Sequence, residues 1–252
     1  MNQHNLDKLK NLRLPGMAEA YESLFQTPQF STLSFDELLG LLLDQEESLR
    51  KSNKLNRLLK DAKFPMKAVI EDILYQDDRR LNKELILQLA AGKYLLDGRN
   101  IIFKGTSGNG KTFFATAFGV QACRQYKKVE YKRLPYLIEE FKLAKHQADG
   151  SYLRLMKKLV KTDLLILDEW LLYPLENDEA TVLLEIINAR HEAHKSNIYC
   201  SQLNTSGWYE NLGNGTVAEA IMERIIHNAY DIQLDGNRSM REKLSFKHTE
   251  AS

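Results

Sequence analysis

The sequence predicts an α/β fold: a parallel five-stranded sheet with helices on both faces, preceded by a small all-helical domain. Three observations carry this. From residue 100 onward, short apolar runs alternate with longer segments whose apolar residues recur at helical spacing, the signature of βα units. A glycine-rich stretch, GTSGNGKT at 105–112, sits between the first of those runs and the helix after it. Before about residue 65 only helical spacing is found. These features set the boundary at a helical domain over 1–66 and a sheet domain over 67–252.

In order along the chain, LDKLKNLRLPGMAEAYESLFQ holds two apolar helical patterns split by Pro15-Gly16. A longer helix follows, with Ser34 as N-cap and Glu37 three residues on, a capping-box pattern. It is expected to stop near Phe64-Pro65, because the residue before a proline avoids helical angles. A linker with one or two more helices leads to strand 100–104. The four further strands are read in KVEYKRL, DLLILDEW, NIYCSQLN and YDIQLDG, with helices over KTFFATAFGVQACRQY, within 135–161, in DEATVLLEIINARHEAH and in TVAEAIMERIIHNA. With little sequence after the fifth strand, no C-terminal lid domain is expected.

Gly105, Thr106, Ser107, Gly108, Asn109, Gly110, Lys111 and Thr112 fit G-x-x-x-x-G-K-[ST]. Glycines allow the chain to curl so that amide N–H groups face an anion, and the helix that follows adds its positive end. Lys111 is then placed for β- and γ-phosphates and Thr112 for Mg²⁺, with Phe113 continuing the nucleotide-binding segment. The run Leu164 to Leu167 delivers Asp168 to the carboxyl end of a buried strand, the ligand edge of an open parallel sheet. Asp168 is a second Mg²⁺ candidate, and Glu169 beside it is the candidate to polarise an attacking water. That pair favours ATP hydrolysis over transfer to a small acceptor. Gln202 is a candidate to touch the γ-phosphate, with Ser201 and Asn204 as competitors. Arg224 either pairs with Glu219 or Glu223 on its own helix or acts as a finger on a neighbouring subunit's nucleotide. Arg238 and Arg241, after the last strand, are candidates for the same subunit's γ-phosphate.

Composition narrows the setting. With 43% hydrophobic and 27% charged residues, and no apolar run long enough to span a bilayer, the expectation is a soluble, cytoplasmic protein without membrane contact. Cys123 and Cys200 each lie in apolar stretches and read as reduced core residues, and the six histidines form no ligand spacing; His191 and His194 fall on a surface helix. The net charge is only +1, but it is unevenly spread. Residues 50–67 carry seven Lys/Arg and one Asp, residues 119–161 eleven Lys/Arg and four Asp/Glu, and residues from 162 onward seven Lys/Arg and fifteen Asp/Glu. A chain basic in front and acidic behind suits head-to-tail contacts, which build rings or spirals. The basic candidates for nucleic-acid phosphate are Arg50, Lys54, Arg57 and Lys60 in the helical domain, and Lys132, Arg133, Lys142 and Lys145 in the sheet domain.

Taken together, GTSGNGKT, LLILDEW, SQLN and ERIIHNA…IQLDG…SMR, behind a helical domain beginning LKNLRLPGM, resemble the IstB family, ATPase helpers of insertion-sequence transposition related to DnaC and DnaA within the AAA+ class. The resemblance implies that Lys111 and Thr112 are the Walker A pair, Asp168 and Glu169 the Walker B pair, Gln202 the first sensor, Arg224 the arginine finger and Arg241 the second sensor. It implies ATP and Mg²⁺ as cofactors. It also implies a ring-like or helical homo-oligomer on double-stranded DNA, little sequence preference, and a transposase as partner. Two departures stand out: Asn204 occupies a place where relatives often have proline, and a second sensor ordinarily sits on a lid domain. A DnaC-like helicase loader is the alternative within the class; a small-molecule P-loop kinase or a non-catalytic ATP-shaped module are the alternatives outside it.

Overall fold

The computed structural model describes residues 2–24, 33–75, 81–147, 149–213 and 215–235. They fall into two compact units, Met1–Arg57 and Leu58–Ser252.

In the first unit, α1 (Gln3–Asn11) opens on Asn2, whose side chain accepts the His4 N–H at 3.1 Å. Arg13, at φ 58°, turns the chain, and α2 (Pro15–Leu24) begins on Pro15, so the proline lies inside the first turn of the second helix, where its missing N–H has no helical partner to lose. The capping box expected at α3 (Phe35–Ala62) is present: Ser34 N–H donates to Glu37 Oε2 at 2.7 Å and Glu37 N–H to Ser34 Oγ at 3.3 Å. The Pro15-Gly16-Met17 corner is held by Glu46, whose carboxylate accepts Gly16 N–H at 2.8 Å and Met17 N–H at 3.1 Å. Arg50 completes the cluster, donating from Nε to Glu46 at 2.6 Å and from Nη2 to the Arg13 carbonyl at 3.2 Å. A Cβ on Gly16 would stand 2.7 Å from the Glu46 Cα, so only glycine permits this approach.

In the second unit a 3₁₀ turn (Ile70–Asp72), α4 (Lys83–Ala90), capped by Asn82, and the short α5 (Lys93–Leu96) precede the sheet. Its strands are β1 (Asn100–Lys104), β2 (Val129–Arg133), β3 (Leu164–Asp168), β4 (Ser196–Ser201) and β5 (Ala229–Gln233). They pair in the order β2-β3-β4-β1-β5, all parallel. Between them run α6 (Lys111–Arg124), α7 (Leu134–Gln147), α8 (Ser151–Lys161), α9 (Asn177–Glu192), α10 (Thr205–Asn211) and α11 (Thr216–Ile226).

β1 and β3 read as nearly continuous apolar runs because both of their faces are covered. Phe103 packs on Phe114 and Phe118 of α6, centroids 5.6 Å apart in each pair. Gly119 lets that helix settle, since a Cβ there would meet the Phe64 ring at 2.5 Å and Ile166 Cδ1 at 2.9 Å. The alternate residues Ile102, Leu165, Leu167 and Tyr199 join a second cluster with α7, α8, α9 and α11, including Trp170 and Trp208. Arg190 is fully buried, with Nε on Asn197 Oδ1 at 2.6 Å, Nη2 on the Ser196 carbonyl at 2.6 Å and Nη1 on the carbonyls of Thr162, at 3.0 Å, and Leu159. It ties the end of α8 to the start of β4, and burial lowers its pKa to about 10. Cys123 and Cys200 are buried and unpaired, and His191 and His194 are exposed. Among the described residues, no helix is long and apolar enough to cross a membrane.

Candidate functional site

The register of the sheet brings one set of residues to its carboxyl edge. Lys104 lies opposite Ser201 on one side and Gln233 on the other, and Arg133 lies opposite Asp168. The phosphate loop starts there. Gly105, Gly108 and Gly110 take φ values of 156°, 86° and 90°, and a Cβ on Gly105 would lie 2.5 Å from the Leu234 carbonyl oxygen. The loop is strapped down from both sides: Gly105 N–H donates to the Ser201 carbonyl at 3.2 Å, and Asn109 Nδ2 to the Leu234 carbonyl at 2.8 Å. Thr106 and Ser107 are exposed, Asn109 is buried, and Phe113 is half-buried against Phe114.

Lys111, the first residue of α6, is 9% exposed. Its ammonium donates to the Gly105 carbonyl at 2.7 Å and the Thr106 carbonyl at 2.8 Å, folded back over the loop mouth. Thr112 Oγ1 donates to Asp168 Oδ2 at 2.7 Å. The same Oδ2 accepts the Tyr131 hydroxyl at 2.6 Å, and Oδ1 accepts the Glu169 N–H at 2.8 Å. The Asp168 carboxylate is therefore fixed from three directions. Burial first, and the bond to Asp168 second, push the Tyr131 hydroxyl far above its ordinary pKa, so it stays a donor. Glu169 has φ 56°, uncommon for a residue with a Cβ, and its carboxylate lies 3.7 Å from Arg133 Nε. That carboxylate, chiefly, raises the Arg133 pKa.

Of the three candidates after β4, the structure occupies two. Ser201 is buried with its hydroxyl fully bonded, and Asn204 caps α10 by accepting Gly207 N–H at 3.0 Å. Gln202 is exposed. Arg224 lies in the last turn of α11, its Nη1 on the Ala220 carbonyl at 2.8 Å and 3.7 Å from Glu223. From there the chain enters β5 at Ala229, opposite Asn100, the end of β1 remote from the phosphate loop. A five-residue strand at ~3.3 Å per residue separates the two edges by roughly 15 Å, so Arg224 stands far from its own loop. Arg238 and Arg241 lie outside the described residues.

Four of the eight basic candidates are engaged with carboxylates. Lys132 donates to Glu140 at 2.7 Å, Lys142 to Glu179 at 3.0 Å, Arg133 faces Glu169, and Arg50 belongs to the Glu46 cluster. Lys54 also has a partner, whereas Arg57, Lys60 and Lys145 are exposed. Two residues the sequence reading passed over stand in the site: Tyr131, and Arg133 as the neighbour of Glu169. A period-two reading of KVEYKRL puts both on one face of β2, but which carboxylate they meet depends on strand order, which no local pattern gives.

A strapped glycine loop, a lysine at its helix start and a threonine bonded to the aspartate that ends β3 define a P-loop nucleotide site at the carboxyl edge of a parallel sheet. Two solved structures share this fold. The AMPPCP-bound DnaA of Aquifex aeolicus superposes with a TM-score of 0.58 at 17% identity over 75% of this chain and 57% of that one. The DnaC helicase loader does so with 0.56 at 16% identity over 71% of this chain and 99% of that one. The sequence goes further than the fold: residues 7–248 match the family model of the IstB-like ATP binding protein, and the chain belongs to that family. An insertion-sequence ATP-binding protein of Sinorhizobium fredii is 41% identical over 94% of this chain and 96% of its own length. One from Pseudomonas fluorescens is 44% identical over 82% and 88%.

Proposed function

We propose that the chain is a Mg²⁺-dependent ATPase that assembles head to tail with copies of itself on double-stranded DNA, without strong sequence preference, and helps a transposase engage its target. The observation that carries the catalytic part is the Thr112–Asp168–Glu169 arrangement beside Lys111. The donor set fits the implied group: two hard oxygens, Thr112 Oγ1 and Asp168 Oδ2, 2.7 Å apart, suit Mg²⁺. Bound there, the ion would neutralise phosphate charge. Lys111 exchanges its two carbonyl acceptors for phosphate oxygens. Glu169 orients and deprotonates the attacking water once Arg133 releases its carboxylate. Gln202, exposed at the same edge, contacts the terminal phosphate. Phosphate loop amides and the α6 N-terminus hold the charge that develops.

The location of Arg224 at the opposite edge of the sheet supports a role on a neighbour's nucleotide, which makes hydrolysis depend on assembly. The insertion-sequence origin of the relatives supports transposition as the setting. Exposed Arg57, Lys60 and Lys145 remain the candidates for DNA phosphate. The test is the particle size by sedimentation with and without Mg-ATP and a random duplex, with Lys111→Ala as control and Arg224→Ala alongside. A large assembly that needs both ligands, and an Arg224→Ala chain that binds ATP but turns over at least about a hundredfold more slowly, is the expected result. The likeness to the DnaC loader favours a second reading; a particle that grows with ATP and ignores duplex would select it.

A further inference from the structure

One hydroxyl lies beneath the phosphate edge and joins the two loops that carry Glu169 and Gln202. Ser201, the last residue of β4, is 1% exposed. Its Oγ donates to the Trp170 carbonyl at 3.0 Å and accepts the Trp208 Nε1–H at 2.8 Å and the Leu203 N–H at 3.1 Å. A serine hydroxyl has one donor and two acceptor sites, and all three are in use. Because two N–H groups fill its lone pairs, the hydroxyl proton is left pointing at Trp170.

Each bond does a separate task. The Leu203 bond closes the turn that presents Gln202. The Trp170 bond acts with a second one, Trp170 N–H to the Cys200 carbonyl at 2.9 Å, so the residue after Glu169 is fastened to β4 by both of its backbone groups. That fastening holds Glu169 in its left-handed conformation, φ 56°, which a glutamate rarely adopts unaided. Trp208 holds the hydroxyl itself. Its ring packs edge-on to Trp170 with centroids 5.9 Å apart, and Trp170 meets Tyr199 at 4.6 Å, all fully buried. The two indoles differ: Trp208 Nε1 is bonded to Ser201, while Trp170 Nε1 has no partner. Trp170 is therefore anchored through its backbone and Trp208 through its side chain.

We propose that Ser201 is a positioning residue that sets the spacing between Glu169 and Gln202, and that Trp208 orients its hydroxyl for that purpose. The proposal rests on the ATPase reading above. A residue that only supported the fold would, when removed, lower stability and ATP affinity together. A positioning residue separates them, because Lys111, Thr112 and the phosphate loop bind ATP without it, whereas a displacement of about 1 Å between reacting groups costs up to about a hundredfold in rate.

The experiment uses the full chain with Mg-ATP and duplex, comparing kcat, KM and calorimetric ATP affinity for wild type, Ser201→Ala, Trp208→Phe and the double variant. Ser201→Ala should lose about ten- to a hundredfold in kcat with ATP affinity within about twofold of wild type. Trp208→Phe keeps an aromatic ring and removes the donor together with part of the indole volume; it should lose about threefold in kcat at unchanged affinity, and it stands in if Ser201→Ala does not fold. The double variant should be no slower than Ser201→Ala, because both act through one hydroxyl. The chain's two tryptophans are both in this cluster, so intrinsic emission should shift in Ser201→Ala. Wild-type kcat in Trp208→Phe or Ser201→Ala, or affinity falling in step with kcat, would overturn the proposal. A wild-type chain that binds ATP but does not hydrolyse it would instead sink the ATPase reading, and the positioning role with it.

Discussion

The starts of α2 and α6 both carry a glycine, Gly16 in the first turn of one and Gly110 just before the other, and they treat the positive end of a helix in opposite ways. At α2 the chain supplies its own anion: the Glu46 carboxylate sits on the amides of Gly16 and Met17, braced by Arg50. At α6 it supplies a cation instead. Lys111 begins the helix, its ammonium resting on the Gly105 and Thr106 carbonyls, and the closest carboxylate bond at that helix start is from Thr112 to Asp168. In both places a Cβ is excluded, by the Glu46 backbone at Gly16 and by the Leu234 carbonyl at Gly105. The same physical opportunity, orphan amides at a helix start, is thus closed for stability in one unit and kept for a ligand in the other.

Removing the key side chain at each helix start should separate the two uses. Lys111→Ala leaves phosphate charge uncompensated in a half-buried loop and should weaken ATP affinity by on the order of a hundredfold, read by titration calorimetry, with the thermal midpoint of the nucleotide-free chain little changed. Glu46→Ala should do the reverse. It strands two backbone amides, costing about 1–3 kcal/mol, seen as loss of hydrogen-exchange protection at Gly16 and Met17 while ATP affinity stays as in wild type. Equal effects of both variants on both readouts would remove the distinction between the two helix starts.

The Glu46 site also carries a pH dependence. Burial pushes its carboxyl up, but the Arg50 guanidinium and the amides of Met17 and Gly16 outweigh burial, and the net value lies below that of an ordinary glutamate. A depressed folded-state pKa means the contribution is fully present above the unfolded value, about 4.3, and is lost as pH falls through the folded one. Exchange protection at Met17 should therefore hold at pH 5 to 7 and fall progressively below pH of about 4. Protection that is flat to pH 2 would show that the carboxylate is not what closes this helix start.

Of these two helix starts, only that of α6 was legible beforehand. The loop, the lysine, the buried strand ending in Asp168 and the capping box of Ser34 and Glu37 are all local: the partners lie within a few residues, or the pattern itself says strand or helix. Glu46 is thirty residues from Gly16, and in sequence it is one more acid in a charged helix. Tyr131 is 37 residues from Asp168 and reaches it only because β2 is the neighbour of β3. Arg190, read in a helix with two exposed histidines near its end, turned inward because the carbonyls of Leu159, Thr162 and Ser196 converge there. Polar partners chosen by topology leave no periodic trace, which is why the apolar framework was readable and its polar locks were not.

The smallest expected effect bears on a residue that sequence placed with DNA and structure places beside Glu169. Arg133 and Glu169 are 3.7 Å apart, with side chains 46% and 36% exposed. A pair that open to solvent is worth at most about 1 kcal/mol, or roughly fivefold. If Glu169 must be free to polarise water, Arg133→Gln should raise duplex-free ATP turnover about two- to fivefold and leave the affinity for a random duplex as it was. If Arg133 belongs to the DNA contacts, basal turnover should stay constant while duplex affinity falls and its salt dependence becomes shallower by about one counterion. The two measurements on one variant thus assign the guanidinium either to the carboxylate it faces or to a phosphate backbone. A variant changed in neither would leave Arg133 with no part in hydrolysis or in DNA binding.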